Sequence, residues 1–194
     1  MDLSFFLKTC LGLAKVLYWF GLLVMNGTFA AIMLVVGLWD TSVNYCPTGC
    51  LQEREVAGFA TYAVGETSFN NDPFGAEVYV RRDTKVAHGP FQNIYGLSIS
   101  DRGDAWAGAG HAYTIDAPSD RIDLQLHAMT GLYSRGTGVD LGGPIEFRSG
   151  IELAYHLENG IRLGLGWDHR SNLEIYARNP GVEMVHVRVS IPLD

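Results

Sequence analysis

"PIEFRSGIELAYHLENGIRLGLGWDHRS", Pro144 to Ser171, contains two runs of period two joined by Glu158-Asn159-Gly160. In the first run Ile145, Phe147, Ile151, Leu153 and Tyr155 share one face, and Glu146, Arg148, Glu152 and His156 share the other. In the second, Ile161, Leu163, Leu165 and Trp167 alternate with Arg162, Gly164, Gly166 and Asp168. Such alternation marks β-strands with two unlike faces. Asn-Gly between two such runs makes a tight type I′ turn, so the stretch reads as an antiparallel hairpin. His169 and Ser171 then occupy the phase that Ile161 to Trp167 had filled with apolar residues.

The same period extends outward from this hairpin. From Glu55 onward eight candidate strands follow one another: 56–64, 74–82, 91–101, 104–115, 121–133, 144–157, 161–171 and 183–193. The fifth sets Ile122, Leu124, Leu126 and Ala128 against Asp123, Gln125 and His127. The eighth sets Val185, Val187, Val189 and Ile191 against His186, Arg188 and Ser190. The first and fourth are ambiguous because alanine and glycine dominate them. No helical periodicity and no internal repeat is evident beyond Glu55.

Two barrels fit alternating strands of this kind. In a soluble ligand-binding barrel the apolar face is the core. In an outer-membrane barrel the apolar face meets lipid and the interior is polar. Strands of about ten residues cross a tilted bilayer. Polar faces that mix Glu, Arg, His and Asp can pair inside a narrow lumen. Closure satisfies every backbone group, as lipid demands, and eight is the smallest common strand number. The expected fold is therefore all-β, an eight-stranded antiparallel up-and-down transmembrane β-barrel over residues 51–194.

A chain that starts and ends in the periplasm sends its first, third, fifth and seventh strands outward. The Glu158–Gly160 turn is then periplasmic, and the fifth–sixth and seventh–eighth connections are external. Asp101-Arg102-Gly103-Asp104 is short for an external loop. Its Arg-Gly-Asp tripeptide reads as turn chemistry rather than as an adhesion motif. Arg135, Arg170 and Arg178 lie near the outer loops, where they are either solvated or meet lipid phosphates.

Residues 1–50 differ in kind and read as a hydrophobic targeting segment and linker. Val16 to Trp39 carries no charge and follows Lys8 and Lys15. Such a run is long enough to span a bilayer, and its flanks suit a secretory signal. It is long for a signal core, and Thr28-Phe29-Ala30 is a poor cleavage site. A retained inner-membrane anchor and translation from Met25 or Met33 are the alternatives. Pro47-Thr48-Gly49-Cys50 is loosely like a lipoprotein box with Pro47 where leucine is usual. Cys46 and Cys50 either close a small disulfide loop or remain free thiols. Neither they nor Cys10 has zinc spacing. A net charge of −7, with Lys85 the only lysine beyond residue 50, argues against nucleic-acid binding.

His169 and Ser171 are residues i and i+2 and share the lipid-facing phase of the seventh strand. Isolated, such a pair most simply marks a strand that has ended in water. In lipid it is costly. Glu183 has the parity of Val185 and Val187, so a hairpin of the last two strands brings it close to His169. That places a nucleophile, a base and a carboxylate on one patch, the arrangement of a Ser-His-acid triad. Asn172 and Asn179 flank the loop as oxyanion candidates.

"HRSNLEIYARNPGVE", His169 to Glu183, resembles the signature of the lipid A 3-O-deacylase (PagL) family: H-x-S-N, then N-P-G and a following glutamate at this spacing. Phe147 to His169 also resembles that family's penultimate hairpin. The resemblance covers roughly the last fifty residues well. It implies an outer-membrane barrel with its triad outside the wall, hydrolysing the ester-linked acyl chain at position 3 of lipid A. By matching position, His169 is the base, Ser171 the nucleophile and Glu183 the residue that orients the histidine. Asn179 is then favoured over Asn172 at the oxyanion.

The implied partners are lipopolysaccharide and outer-membrane lipid, with the site towards the outer leaflet. No metal and no other cofactor is implied. A homodimer is compatible with the chain, which does not demand one. Leu173 and Glu174 depart from the family, where small residues are usual after Ser-Asn. The final Ile191-Pro192-Leu193-Asp194 lacks the terminal aromatic residue of many outer-membrane barrels. The rival readings are a non-catalytic structural or adhesive barrel, a calcium-dependent outer-membrane phospholipase and a soluble small-ligand barrel.

Overall fold

The computed structural model describes residues 27–70, 72–116 and 121–194. Lys8, Cys10, Lys15 and Met25 lie outside these residues. Among the described residues nine strands follow one α-helix, α1 (Thr28–Asp40). They are β1 (Glu53–Glu55), β2 (Phe59–Phe69), β3 (Asp72–His88), β4 (Phe91–Ser100), β5 (Ala105–Asp116), β6 (Ile122–Ser134), β7 (Ile145–His156), β8 (Arg162–Ser171) and β9 (Val182–Pro192). From β2 to β9 each strand pairs antiparallel with its neighbour in sequence. The ring closes where β2 pairs with β9, Phe59 opposite Pro192 and Ser68 opposite Glu183. The eight expected strands are all present. β3 runs further than the sequence suggests, past a bulge between Asp83 and Ala87, and its end pairs with the short β1.

Side-chain parity follows the alternation. Tyr62, Val64, Val78, Val80, Tyr95, Leu97, Ile99, Leu132, Leu153, Val187 and Val189 face outward and are exposed, forming the apolar belt that lipid covers. Inside, charges pair at close range. Arg148 bonds Asp168 at 2.7 Å and Glu77 at 2.8 Å, Arg81 bonds Asp83 at 2.7 Å, and Arg162 reaches Asp123 at 3.0 Å. The expected polar interior is only half of the lumen. Tyr79, Ile94, Trp106, Met129 and Met184 form an apolar cluster beside it. Trp106 needs that space cleared: a Cβ on Gly108 would lie 2.5 Å from its ring, and one on Gly131 2.6 Å. This is why β5 reads ambiguously, with its largest side chain inside and Ala107 and Ala109 outside.

The long loop Arg135–Pro144 sits at the same end as the β4–β5 turn and the β8–β9 loop. Asp104 accepts from the backbone N–H groups of Gly136 at 2.7 Å and Gly138 at 3.2 Å. Arg102 lies 4.1 Å over the Phe74 ring and donates to Phe74 O. Both charged members of the Arg-Gly-Asp tripeptide are thus committed within the fold. Arg170, expected to be solvated or to meet lipid phosphates, instead turns into the lumen, where it donates to Glu77 at 3.1 Å. Its odd parity relative to His169 and Ser171 dictates this.

Helix α1 lies on the outer wall against β6 and β7. Met33 packs on Tyr113 and Leu126, and Phe29 stands edge-on to Trp167 with centroids 4.9 Å apart. The helix continues through Thr41–Tyr45 and Cys46–Thr48, and Cys46 pairs with Cys50 in a disulfide. Of the two alternatives for these thiols the structure takes the disulfide.

Candidate active site

The last three residues of β8 and the first two of β9 carry the site. His169 and Glu183 are direct register partners, so the sheet itself sets their separation. His169 Nδ1 and Glu183 Oε1 are 2.6 Å apart, a charge-assisted hydrogen-bond distance. Ser171 has the same outward parity two residues further on, opposite Phe147 of β7. His169 and Ser171 are sheltered, 3% and 1% exposed despite facing away from the lumen, and Glu183 is half-buried. His169 Nε2 is buried with no hydrogen-bond partner among the described residues. The imidazole is therefore held through one nitrogen, and the other has no partner among the described residues.

The β8–β9 loop is fixed by two asparagines with different duties. Asn172 donates its side-chain amide to Leu141 O at 2.5 Å and Arg178 O at 2.6 Å. It thereby ties its own loop to the neighbouring Arg135–Pro144 loop. Asn179 accepts the Asn172 backbone N–H at 2.9 Å, which spends its oxygen and not its amide nitrogen. Leu173 and Glu174 both take left-handed backbone conformations, φ 52° and 63°. Glycine, asparagine or aspartate would adopt these more readily.

Gly181 is a site residue that the alternation pattern could not reveal. A Cβ there would stand 2.5 Å from His169 Cε1, so only glycine lets the imidazole lie flat against the loop. Its signal in the sequence is the Asn179-Pro180-Gly181 tripeptide. Ser149, the register partner of His169 on β7, also borders the site.

A groove of about 350 Å³ leads from His169 and Ser171 across the outer wall, bordered by Ala128, Phe147 and Leu173. On the luminal side of the same wall, His127, Glu152 and Asp168 bring one ligand atom each within 4.8 Å of one another. Arg148 holds Asp168, and Arg81 bonds Glu152 at 3.0 Å, so guanidinium groups already neutralise both carboxylates. These residues form a lumen ion-pair network and not a free set of metal ligands.

The model of the lipid A 3-O-deacylase (PagL) family matches residues 90–192, more than half of the chain. The chain belongs to the PagL family. It is accordingly a hydrolase of lipid A and a β-barrel enzyme of the outer membrane. Every candidate site residue lies inside the matched segment. No curated protein sequence matches. Among solved structures, the crystal structure of the outer membrane enzyme PagL aligns with TM-score 0.55 and 19% identity, over 70% of this chain and 99% of that one. A de novo designed transmembrane β-barrel aligns with TM-score 0.53 and 11% identity, over 74% of this chain and 99% of its own. At such identities these likenesses concern the barrel alone. PagL membership sets the chain among lipid A deacylases and apart from outer-membrane phospholipases and soluble barrels.

Proposed function

We propose that the chain removes the ester-linked 3-position acyl chain of lipid A with Ser171 as nucleophile, His169 as general base and Glu183 as the residue that orients the histidine. The observation that carries this reading is the 2.6 Å His169–Glu183 contact on the outward face, with Ser171 in phase two residues on. Glu183 fixes the proton on Nδ1, leaving Nε2 to accept from Ser171. Apo distances between nucleophile and base often tighten only when substrate arrives.

In the first step Ser171 Oγ bonds the ester carbonyl carbon and its proton passes to His169 Nε2. The carbonyl becomes a tetrahedral oxyanion. Asn179, whose amide nitrogen is not used by Asn172, is the side-chain donor to it. Collapse breaks the ester C–O bond, and His169 returns the proton to the departing sugar oxygen. Water then attacks the acyl-serine, again deprotonated by His169, and releases a 3-hydroxy fatty acid.

The site faces the outer leaflet. Its loops are the long ones, whereas Leu157–Ile161 and Gly89–Pro90 at the other end are tight, as periplasmic turns are. Substrate reaches Ser171 by lateral diffusion in the leaflet. Residues ahead of Thr28 serve targeting to the secretory pathway.

Mass spectrometry of lipid A from membranes with and without the protein tests this reading. Loss of one ester-linked 3-hydroxy acyl chain is expected, with none lost for Ser171→Ala. An identical acylation pattern in all three samples would overturn it. A second reading, a barrel without activity, predicts that identical pattern together with normal heat-modifiable gel mobility.

A further inference from the structure

We infer that helix α1 stays with the mature barrel and forms one wall of the groove that takes the scissile acyl chain, with Ala30 setting the chain length. The acyl occupant rests on the reading of Ser171 given above. The retention of the helix does not.

The outer wall supplies the floor. Ser171, Phe147, Thr130 and Ala109 are successive register partners across β8, β7, β6 and β5. Three interstrand gaps make this row about 14 Å long, running sideways from the nucleophile. Gly27 and Ala30 close the groove from above. A Cβ on Gly27 would lie 3.4 Å from Leu173 Cδ2, so the start of the helix abuts the residue next to the serine–asparagine pair. Leu173, which departs from the small residues usual in the family, thus has a partner in the helix. The PagL crystal structure is matched almost entirely by 70% of this chain, so nearly a third of this chain has no counterpart there.

The helix is built to remain in a bilayer beside the barrel. Thr28–Thr48 spans 21 residues, and its most apolar 18-residue stretch has a mean hydropathy of 1.4, enough to cross a membrane. It descends from Leu173 at the loop end to Phe91 at the tight-turn end, where Gly37 leaves room for the Phe91 ring. Below it, Cys50 O packs on Gly89 of the β3–β4 turn. One side buries Met33, while Leu34, Val35, Leu38 and Trp39 are 52% to 72% exposed. Those outward side chains suit lipid and not water. Trp39 lies at the far end, where interfacial aromatics anchor membrane segments. The groove between this helix and the wall is floored by small and apolar side chains, opens to lipid and starts at Ser171. An acyl chain already immersed in the leaflet is the ligand of that chemistry.

The test uses the full chain recovered from outer membranes. Peptide mapping should find residues from Thr28 onward and the disulfide-linked Cys46–Cys50 peptide. Their absence would overturn the proposal whatever the activity. Wild type, Ala30→Phe and Val35→Phe are then given a mixture of lipid A species with long and short 3-acyl chains. Ala30→Phe should lower kcat/KM for long over short chains by about 10-fold or more, the discrimination expected of a few methylenes in an apolar site. Val35→Phe, on the lipid side of the helix, should keep the wild-type ratio. Ala128→Leu narrows the groove from the floor and should shift the ratio in the same direction, which covers a failure of Ala30→Phe to fold. An unchanged ratio in the folded variants would overturn the proposal. A wild-type protein that releases no acyl chain would overturn the reading of Ser171, and peptide mapping would still decide the fate of the helix.

Discussion

His169 Nδ1 lies 2.6 Å from Glu183 Oε1 because the two residues face each other directly across β8 and β9. The contact is built by sheet register and not by a loop, so it survives small loop movements. Replacing the carboxylate by an amide keeps the size and removes the charge that, in the proposed mechanism, stabilises the imidazolium. Glu183→Gln should lower kcat by about 10³- to 10⁴-fold, the scale of the corresponding change in a serine protease triad. KM should stay near wild type. Initial rates of 3-hydroxy fatty acid release decide this, and a variant within a few-fold of wild type would remove Glu183 from the machinery.

Gly181 gives a subtler probe of the same imidazole. A methyl group there would meet His169 Cε1 at 2.5 Å, so the ring must tilt or the loop must retreat. Either displaces Nε2 from its place in the site. A displacement near 1 Å costs about 100-fold in rate. Gly181→Ala should show that loss while its heat-modifiable gel mobility remains normal. Wild-type rates would mean that the loop yields without disturbing the histidine.

Much of the barrel is legible as alternation, most clearly in β6 to β9, where one face is apolar and the other charged. β2 and β5 resist the same reading for a physical reason. Phe59 and Trp106 point inward, against the apolar-out rule, because a small lumen must be filled with volume as well as charge. The continuation of β3 past Arg82 was hidden because Asp83-Thr84-Lys85 looks like a turn, whereas it forms a bulge against β4. At the site, parity alone pairs Glu183 with His169. The structural duty of Asn172 was not visible, because it depends on Leu141 O in a loop distant in sequence. Gly181 leaves no periodic trace and is legible only as the end of Asn179-Pro180-Gly181.

The lumen offers a stability test independent of the site. Arg148 bonds both Asp168 and Glu77 and lies 3.8 Å over the Tyr79 ring. Replacing it with methionine preserves much of the volume but takes the only guanidinium partner from buried Asp168, whereas Glu77 keeps Arg170 at 3.1 Å. Removing one partner of a buried ion pair costs about 3–5 kcal/mol. Arg148→Met should therefore unfold at lower urea concentration in detergent micelles. Adding Asp168→Asn should recover part of the loss, and a double variant no more stable than the single would show that the Asp168 carboxylate does not matter.

Asn172 is the tie whose removal should loosen the site without touching the triad. Its amide holds Leu141 O and Arg178 O, and its side chain is fully buried. Asn172→Ala deprives both carbonyls of their donor, at about 1–3 kcal/mol for a buried group left unsatisfied. The strands of the barrel do not depend on these bonds, so the cost falls on the two loops, which open and let water satisfy the carbonyls. Arg178 is the sensor of that opening, since its side chain is 67% exposed and it sits in the released loop. Trypsin should cut after Arg178 faster in Asn172→Ala than in wild type, with the barrel fragment intact. Deacylation should fall in parallel, because Asn179 is positioned by accepting the Asn172 backbone N–H. Asn172→Asp sets carboxylate oxygens against the same two carbonyls and should open the loop further still. Equal cutting rates in all three proteins would show that the loop is held by other contacts.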